Sequence, residues 1–336
     1  MIKILFICPG GQTNLNSPSE NLAKYINENY DDVEIDIFNQ SFRPVNNTDI
    51  SKYDIVWGEM DGANVPSLAL SLAKSKNKPC YIHGEWVPPY RFENGWDGYF
   101  NEPTQLSRKG YYQTNINAMK QADLVSLALS DTPGGFEWLK KAAGAEFKNK
   151  FVRYPACKEY PLLEIEKKHQ VATIARVNDG KKRVMHTVKA LAKIENKPTY
   201  KVIGGQVSHK GLDIQCLGAF NNDNKIKIFA ESKLAIQHWS GIPPAEAIQQ
   251  LCPVISYDIP YMRELYGDAL IWVKKDDIDD LAKTIDYWLT HDKEREEFAV
   301  SVKERFINGE FGVKLEKRRA ELVVTKLKEI IENGTE

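Results

Sequence analysis

Lys233–Asp258 reads KLAIQHWSGIPPAEAIQQLCPVISYD. An apolar run ends in a Ser-Gly turn, two prolines open a helix near Ala245, and a second apolar run follows. Pro243 and Pro244 suit a first helical turn, where a missing N–H leaves no bond unmade. Strand, helix and strand in so short a stretch is the unit of a parallel sheet, because parallel neighbours need a crossover between them.

Working outward, the same alternation runs through the chain. In the N-terminal half strands are predicted over 2–8, 33–38, 53–59, 79–86, 123–130 and 151–155, with helical periodicity over 19–29 and 64–75. Ser17-Pro18-Ser19-Glu20 has the form of a capped helix start. A polar stretch from Lys158 to His169 interrupts the pattern and reads as a linker. Beyond it, strands are predicted over 171–175, 200–203, 214–218, 233–238, 253–257 and 269–273, then helices over 278–289, 293–308 and 313–333. The expected architecture is α/β: two Rossmann-like, doubly wound parallel-sheet domains whose carboxyl strand ends face a central cleft. The first domain is placed at 1–160, the second at 166–312 and a last helix at 313–336.

The 336 residues suit two domains of ordinary size, and 42% hydrophobic with 27% charged residues is a soluble balance. With 45 basic and 46 acidic residues the net charge is −1, which gives no electrostatic ground for nucleic-acid binding. No apolar run approaches the roughly 18 residues that span a bilayer. The opening MIKILFICPGG reads as a buried strand rather than a signal peptide, which points to a cytoplasmic protein. Five scattered cysteines without a CxxC pair read as free buried thiols, and no His/Cys cluster has metal-ligand spacing. Asp277-Ile278-Asp279 precedes a helical run and reads as capping chemistry, so no metal is expected.

The turn after the first strand of the quoted stretch is the leading candidate site. Free amides of Gly241 and Ile242, with Pro243, Pro244 and Ala245 at the start of the helix, would suit a diphosphate. Glu246, one turn in, has a carboxylate that can accept two hydroxyls of a ribose, or can offset the helix dipole. A second cluster, Ile174-Ala175-Arg176-Val177-Asn178-Asp179-Gly180-Lys181-Lys182-Arg183, places Arg176 directly after an apolar strand and Lys181 across a polar turn. Both can reach one phosphate pair. Gly10 and Gly11 follow the first strand, where a backbone can come close to a ligand. Trp86, Tyr90, Arg91 and Trp96 interleave rings with polar groups and suit sugar stacking, or an ordinary packed loop.

These segments resemble the retaining glycosyltransferases of family 4 (glycosyl transferases group 1), strongest from Val171 to Val273. Gly241–Ala247 resembles the second half of that family's Glu-x7-Glu motif, and Arg176 with Lys181 matches its phosphate-holding pair. Glu264 resembles the Glu that commonly follows, and His83, ending the fourth strand, resembles the histidine beside the donor's primary hydroxyl. There is one departure: His238 stands where the first Glu is usual, with Trp239 and Ser240 in place of Gly and an aromatic. His238 then either donates to a sugar hydroxyl or phosphate, or is an inert strand-end histidine.

The resemblance implies a GT-B protein whose last helix crosses back to the N-terminal domain. It implies transfer of a sugar, with retention, from a UDP- or GDP-linked donor to an acceptor hydroxyl. Arg176, Lys181 and His83 would be catalytic, with donor contacts from Gly241–Glu246, His238, Gly10 and Gly11. The nucleotide-sugar is a co-substrate and no cofactor is implied. The acceptor would be a glycan or a lipid-linked species, with peripheral contact at the inner membrane face. The alternatives are a GT-B epimerase acting on a nucleotide-sugar and a non-catalytic nucleotide-sugar-binding relative.

Overall fold

Ile4, Leu5, Phe6, Ile7 and Cys8 are all inaccessible, which only a strand covered on both faces requires. In the computed structural model they lie in β1 (Ile2–Cys8), inside a six-stranded sheet. The structure describes residues 1–8, 18–39, 49–60, 64–84, 113–132, 135–218, 222–239 and 241–333; for Pro18, Ala142, Lys181, Asn222 and Asp223 only the backbone is described. It divides into two units, 1–154 with 316–336, and 155–315.

The first unit adds β2 (Val33–Asn39), β3 (Ile55–Glu59), β4 (Cys80–Gly84), β5 (Leu124–Leu127) and β6 (Lys150–Val152). The order is β2-β1-β3-β4-β5-β6, and every pairing is parallel. Alternate residues of β1 feed two cores: Leu5 and Ile7 one, Ile4, Phe6 and Cys8 the other. The first core takes in α2 (Val65–Ser75), through Val65, Ala69, Leu70 and Ala73. The second is roofed by α1 (Pro18–Asn29) and the last helix, α11 (Glu316–Asn333). On α11 Val323, Val324, Leu327 and Ile330 are buried there, each contributing about 1.5–3 kcal/mol. A row of rings crosses this face, Phe6–Trp57 at 4.4 Å, Trp57–Tyr81 at 5.1 Å and Tyr81–Phe151 at 5.9 Å between centroids. Helix α3 (113–119) and α4 (Phe136–Ala143) complete the unit; Gly144, left-handed at φ 57°, closes α4.

The second unit holds β7 (Ala156–Cys157), β8 (His169–Ile174), β9 (Tyr200–Ile203), β10 (Ile214–Cys216), β11 (Ser232–Ile236), β12 (Val254–Tyr257), β13 (Ile271–Val273) and β14 (Lys314–Leu315). Its main sheet runs β10-β9-β8-β11-β12-β13. From β8 the chain builds outward to β9 and β10, then returns to the other side of β8 for β11 to β13. The switch point therefore falls between the carboxyl ends of β8 and β11, where such sheets bind ligands. The helices are α5 (Val184–Lys193), α6 (Asn222–Ala230), α7 (Pro243–Gln249), α8 (Pro260–Tyr266), α9 (Ile278–Thr290) and α10 (Asp292–Ile307).

The stretch read as a linker is part of this unit, and the chain passes between units at Tyr154/Pro155 and Leu315/Glu316 instead. Gln249 of α7 and Gln250 just after it accept the N–H groups of Tyr160 (2.8 Å) and Leu163 (3.0 Å), and Lys167 donates to the Ser232 carbonyl at 2.9 Å. These bonds tie the stretch to α7 and β11, while its charged side chains Lys158, Glu159, Glu164, Glu166 and Lys168 are exposed. The helix read over 313–333 also divides, because Lys314 and Leu315 pair with Ala156 and Cys157 before α11 begins.

Candidate donor site

The segment after β8 is held from the β9 side. Ala175 N–H donates to the Ile203 carbonyl (3.0 Å) and Val177 N–H to the Gly204 carbonyl (3.2 Å). Gly204 and Gly205 have φ of 107° and 157°, and a Cβ at Gly205 would lie 2.7 Å from the Val177 Cβ. That close approach requires glycine. Arg176 is left projecting, its side chain 70% exposed, and among the described residues its ion pair is a 3.5 Å contact to Asp179. Exposed pairs of this kind contribute about 0–1 kcal/mol, so the guanidinium is available to an anion.

The other cations of the cluster differ. Lys182 Nζ donates to the Trp239 carbonyl and so ties the β8 turn to the β11 turn. Arg183, left-handed at φ 51°, bonds Asp276 at 2.8 Å and holds that carboxyl below its ordinary pKa. Lys181 lies in a 3-10 turn over Gly180–Lys182, and its side chain is outside the described residues. Helix α5 begins at Val184, after Arg183 turns the backbone left-handed.

On the β11 side the Gln237 amide extends the sheet. In the orientation that satisfies both its atoms, its NH2 donates to the Ile174 carbonyl (3.0 Å) and its oxygen accepts the Ile174 N–H (2.8 Å). His238 is buried, stacked on Tyr257 at 4.0 Å between ring centroids, and its Nδ1 accepts the Tyr257 N–H at 3.0 Å. Nδ1 as acceptor places the proton of the neutral ring on Nε2. Burial above all pushes its pKa down to about 3, so His238 is a neutral floor group at physiological pH. Trp239 follows at φ 52°, the left-handed conformation that favours the glycine usual there in the resembled family, and its ring stacks on Tyr261.

The helix start offers fewer donors than its sequence promised. Pro243 and Pro244 carry no N–H, and Ala245 N–H donates to the Ile242 carbonyl at 2.9 Å. The Glu246 N–H also donates to that carbonyl, at 3.2 Å. Gly241 and Ile242 N–H remain, with no partner recorded among the described residues. The Gly241 carbonyl is pinned by the Tyr266 hydroxyl at 2.5 Å. Glu246 is buried, with Oε1 accepting from Lys225 Nζ at 2.7 Å and Oε2 without a hydrogen-bond partner among the described residues.

In the first unit His83, next to last in β4, is buried, with Nδ1 2.7 Å from Ser126 Oγ, which is also 2.6 Å from the Tyr81 hydroxyl. Burial, then Arg153 and Arg319, hold its pKa well below the ordinary value, so it is a neutral ring in a buried polar row. Arg319 is itself paired with Glu316 at 2.7 and 2.9 Å. Gly10 and Gly11, the strand extension to Trp86, and Trp86, Tyr90, Arg91 and Trp96 lie outside the described residues, as does Ser240. Asp277 caps α9, accepting the N–H groups of Asp279 (3.1 Å) and Asp280 (3.0 Å).

Residues 161–305, which contain the β8 and β11 turns and Glu246, match the family described as glycosyl transferases group 1. HepE from Anabaena, solved with UDP, is 13% identical with a TM-score of 0.71, over 98% of this chain and 100% of that one. Sucrose-phosphate synthase from Thermosynechococcus elongatus is 12% identical with a TM-score of 0.71, over 99% of this chain and 100% of that one. The chain has the GT-B fold. TarM has the same fold, at 17% identity and a TM-score of 0.61, over 82% of this chain and 54% of that one. No curated protein sequence matches this chain.

Within the matched part, the structure brings Arg176, the 3-10 turn of Lys181 and the Gly241–Glu246 turn to one switch point, with His238 buried just past the end of β11. His83 lies outside that part, in the first unit. Sequence reading missed Gly204–Gly205, Lys225 and Asp276. The Gly-Gly pair after the Tyr200–Ile203 run was the one visible signal, since paired glycines at a strand end mark a close backbone approach.

Proposed function

We propose that the second unit binds a uridine nucleotide-sugar at the switch point and that the enzyme transfers its sugar, with retention, to a hydroxyl of a glycan or lipid-linked acceptor. The observation that carries this reading is the Glu246 carboxylate, buried in the first turn of α7 with Oε2 unmet. A buried acceptor without a donor costs about 1–3 kcal/mol, and a ribose hydroxyl would remove that cost. Uridine is favoured because HepE is described with UDP, with UDP and glucose, and with UDP-glucose.

Arg176, Lys181 and the Gly241 and Ile242 N–H groups would then stabilise the charge that grows on the departing diphosphate. The bond from the anomeric carbon to the diphosphate oxygen breaks as the acceptor oxygen approaches from the same face. The acceptor's proton passes to an oxygen of the leaving diphosphate, so no protein base is needed. Retention rests on the likeness of Arg176, Lys181 and Glu246 to family 4. A lipid-linked acceptor fits the exposed Lys317 and Arg318 of α11, each worth about 1 kcal/mol at an anionic surface.

Arg176→Ala should lower UDP release from UDP-glucose at least tenfold, since one such contact is worth about 3–4 kcal/mol in a transition state. Unchanged turnover removes Arg176 from the chemistry. Proton NMR of the first-formed product reads the anomeric configuration, and an inverted linkage rejects the retaining mechanism.

A further inference from the structure

We infer that Lys225 is a positioning residue of the donor site, fixing the Glu246 carboxylate so that Oε2 is held out for a ribose hydroxyl. The inference rests on the reading of Glu246 as the ribose ligand. Lys225 comes from α6, not from either turn that carries the other donor-site groups. Its Nζ lies 2.7 Å from Oε1, with the two side chains only 15% and 3% exposed.

A glutamate's terminal torsion is broad and nearly two-fold, so a carboxylate in the first turn of a helix does not orient itself. Here the ammonium occupies Oε1 and sets the plane of the group, while Pro243 and Pro244 fix the backbone where α7 starts. A charge-assisted hydrogen bond of this kind is about twice as strong as a neutral one, so the group is held firmly. A fixed, buried acceptor favours a ligand that offers a hydroxyl over one that offers a hydrogen atom. The dyad therefore reads ribose against deoxyribose, and Lys225 acts through Glu246 without touching the nucleotide.

The test uses the full chain and two probes, UDP and 2′,3′-dideoxy-UDP, titrated calorimetrically against wild type, Lys225→Met, Lys225→Gln and Lys225→Arg, each checked for native circular dichroism. Wild type should prefer UDP at least tenfold. Lys225→Met should bring the preference below threefold by weakening UDP alone, and Lys225→Arg should restore it. Lys225→Gln carries the expectation of Lys225→Met, at smaller size, should the methionine variant not fold. In turnover the donor KM should rise with kcat nearly unchanged, because the contact is made equally in ground and transition states. Variants that keep the wild-type preference, or that weaken both probes equally, overturn the role of Lys225 and leave the Glu246 reading standing. A wild type that does not bind UDP overturns the Glu246 reading itself, and the inference with it.

Discussion

Gly205 is where the carboxyl end of β9 presses on the turn that carries Arg176, and Gly205→Ala should damage stability and turnover together. The new methyl would sit 2.7 Å from Val177 Cβ and 2.9 Å from its Cγ2. Carbon atoms prefer about 3.5–4.0 Å, so close to 1 Å must be found. Rotating Val177 moves Cγ2 but not Cβ, which shifts only with its backbone. Overpacking of this kind costs about 1–3 kcal/mol. The φ of 157° that alanine would inherit adds strain of order 1–3 kcal/mol. Val177 follows Arg176 directly and its N–H is bonded to Gly204, so the displacement enters the turn that carries Arg176. A misplacement near 1 Å can cost about 100-fold in rate, and a 10- to 100-fold fall in turnover is expected. Urea denaturation and UDP release, measured below the variant's unfolding range, check the two effects. Val177→Gly in the same chain should recover part of the lost stability. A Gly205→Ala protein with wild-type midpoint and turnover would refute the claim that this contact positions Arg176.

Acidification should destabilise the fold through its two buried histidines. His238 (about 3) and His83 have folded pKa values below the unfolded value near 6.5, so the unfolded chain binds more protons and stability falls as pH drops below 6.5. Each histidine contributes a loss of about 1.4 kcal/mol per pH unit on the way down, and the urea midpoint of His238→Gln should fall less steeply than that of wild type. Asp277→Ala should cost about 1 kcal/mol from the lost cap of α9, read by thermal unfolding, with donor turnover unchanged; a collapse of turnover would point to a ligand role for the Asp-Ile-Asp run.

The sheets were legible because buried parallel strands are written as continuous apolar runs. Ile2–Cys8 and Tyr200–Ile203 begin and end where the sequence places them. The short helices Phe136–Ala143, Asn222–Ala230 and Pro260–Tyr266 were not, since seven to nine residues give too few turns for a period to emerge. At the site, Arg176 and Glu246 announce themselves as charges at strand and helix ends. Lys225 does not: it meets Glu246 from 21 residues away, through the packing of α6 beside α7. The burial of His83 and His238 is likewise a tertiary fact, decided by what covers a strand end. Consecutive prolines show in the sequence that two amides are missing, but not that the third is taken by the Ile242 carbonyl.

The central claim is that Glu246 takes a ribose hydroxyl of the donor, and UDP affinity of wild type and Glu246→Gln, by calorimetry at one pH and ionic strength, tests it most directly. A hydrogen bond to a charged group is worth about 1.5–3 kcal/mol, so the account predicts a loss of roughly 10- to 150-fold with the fold intact. Equal affinity in the two proteins would contradict it.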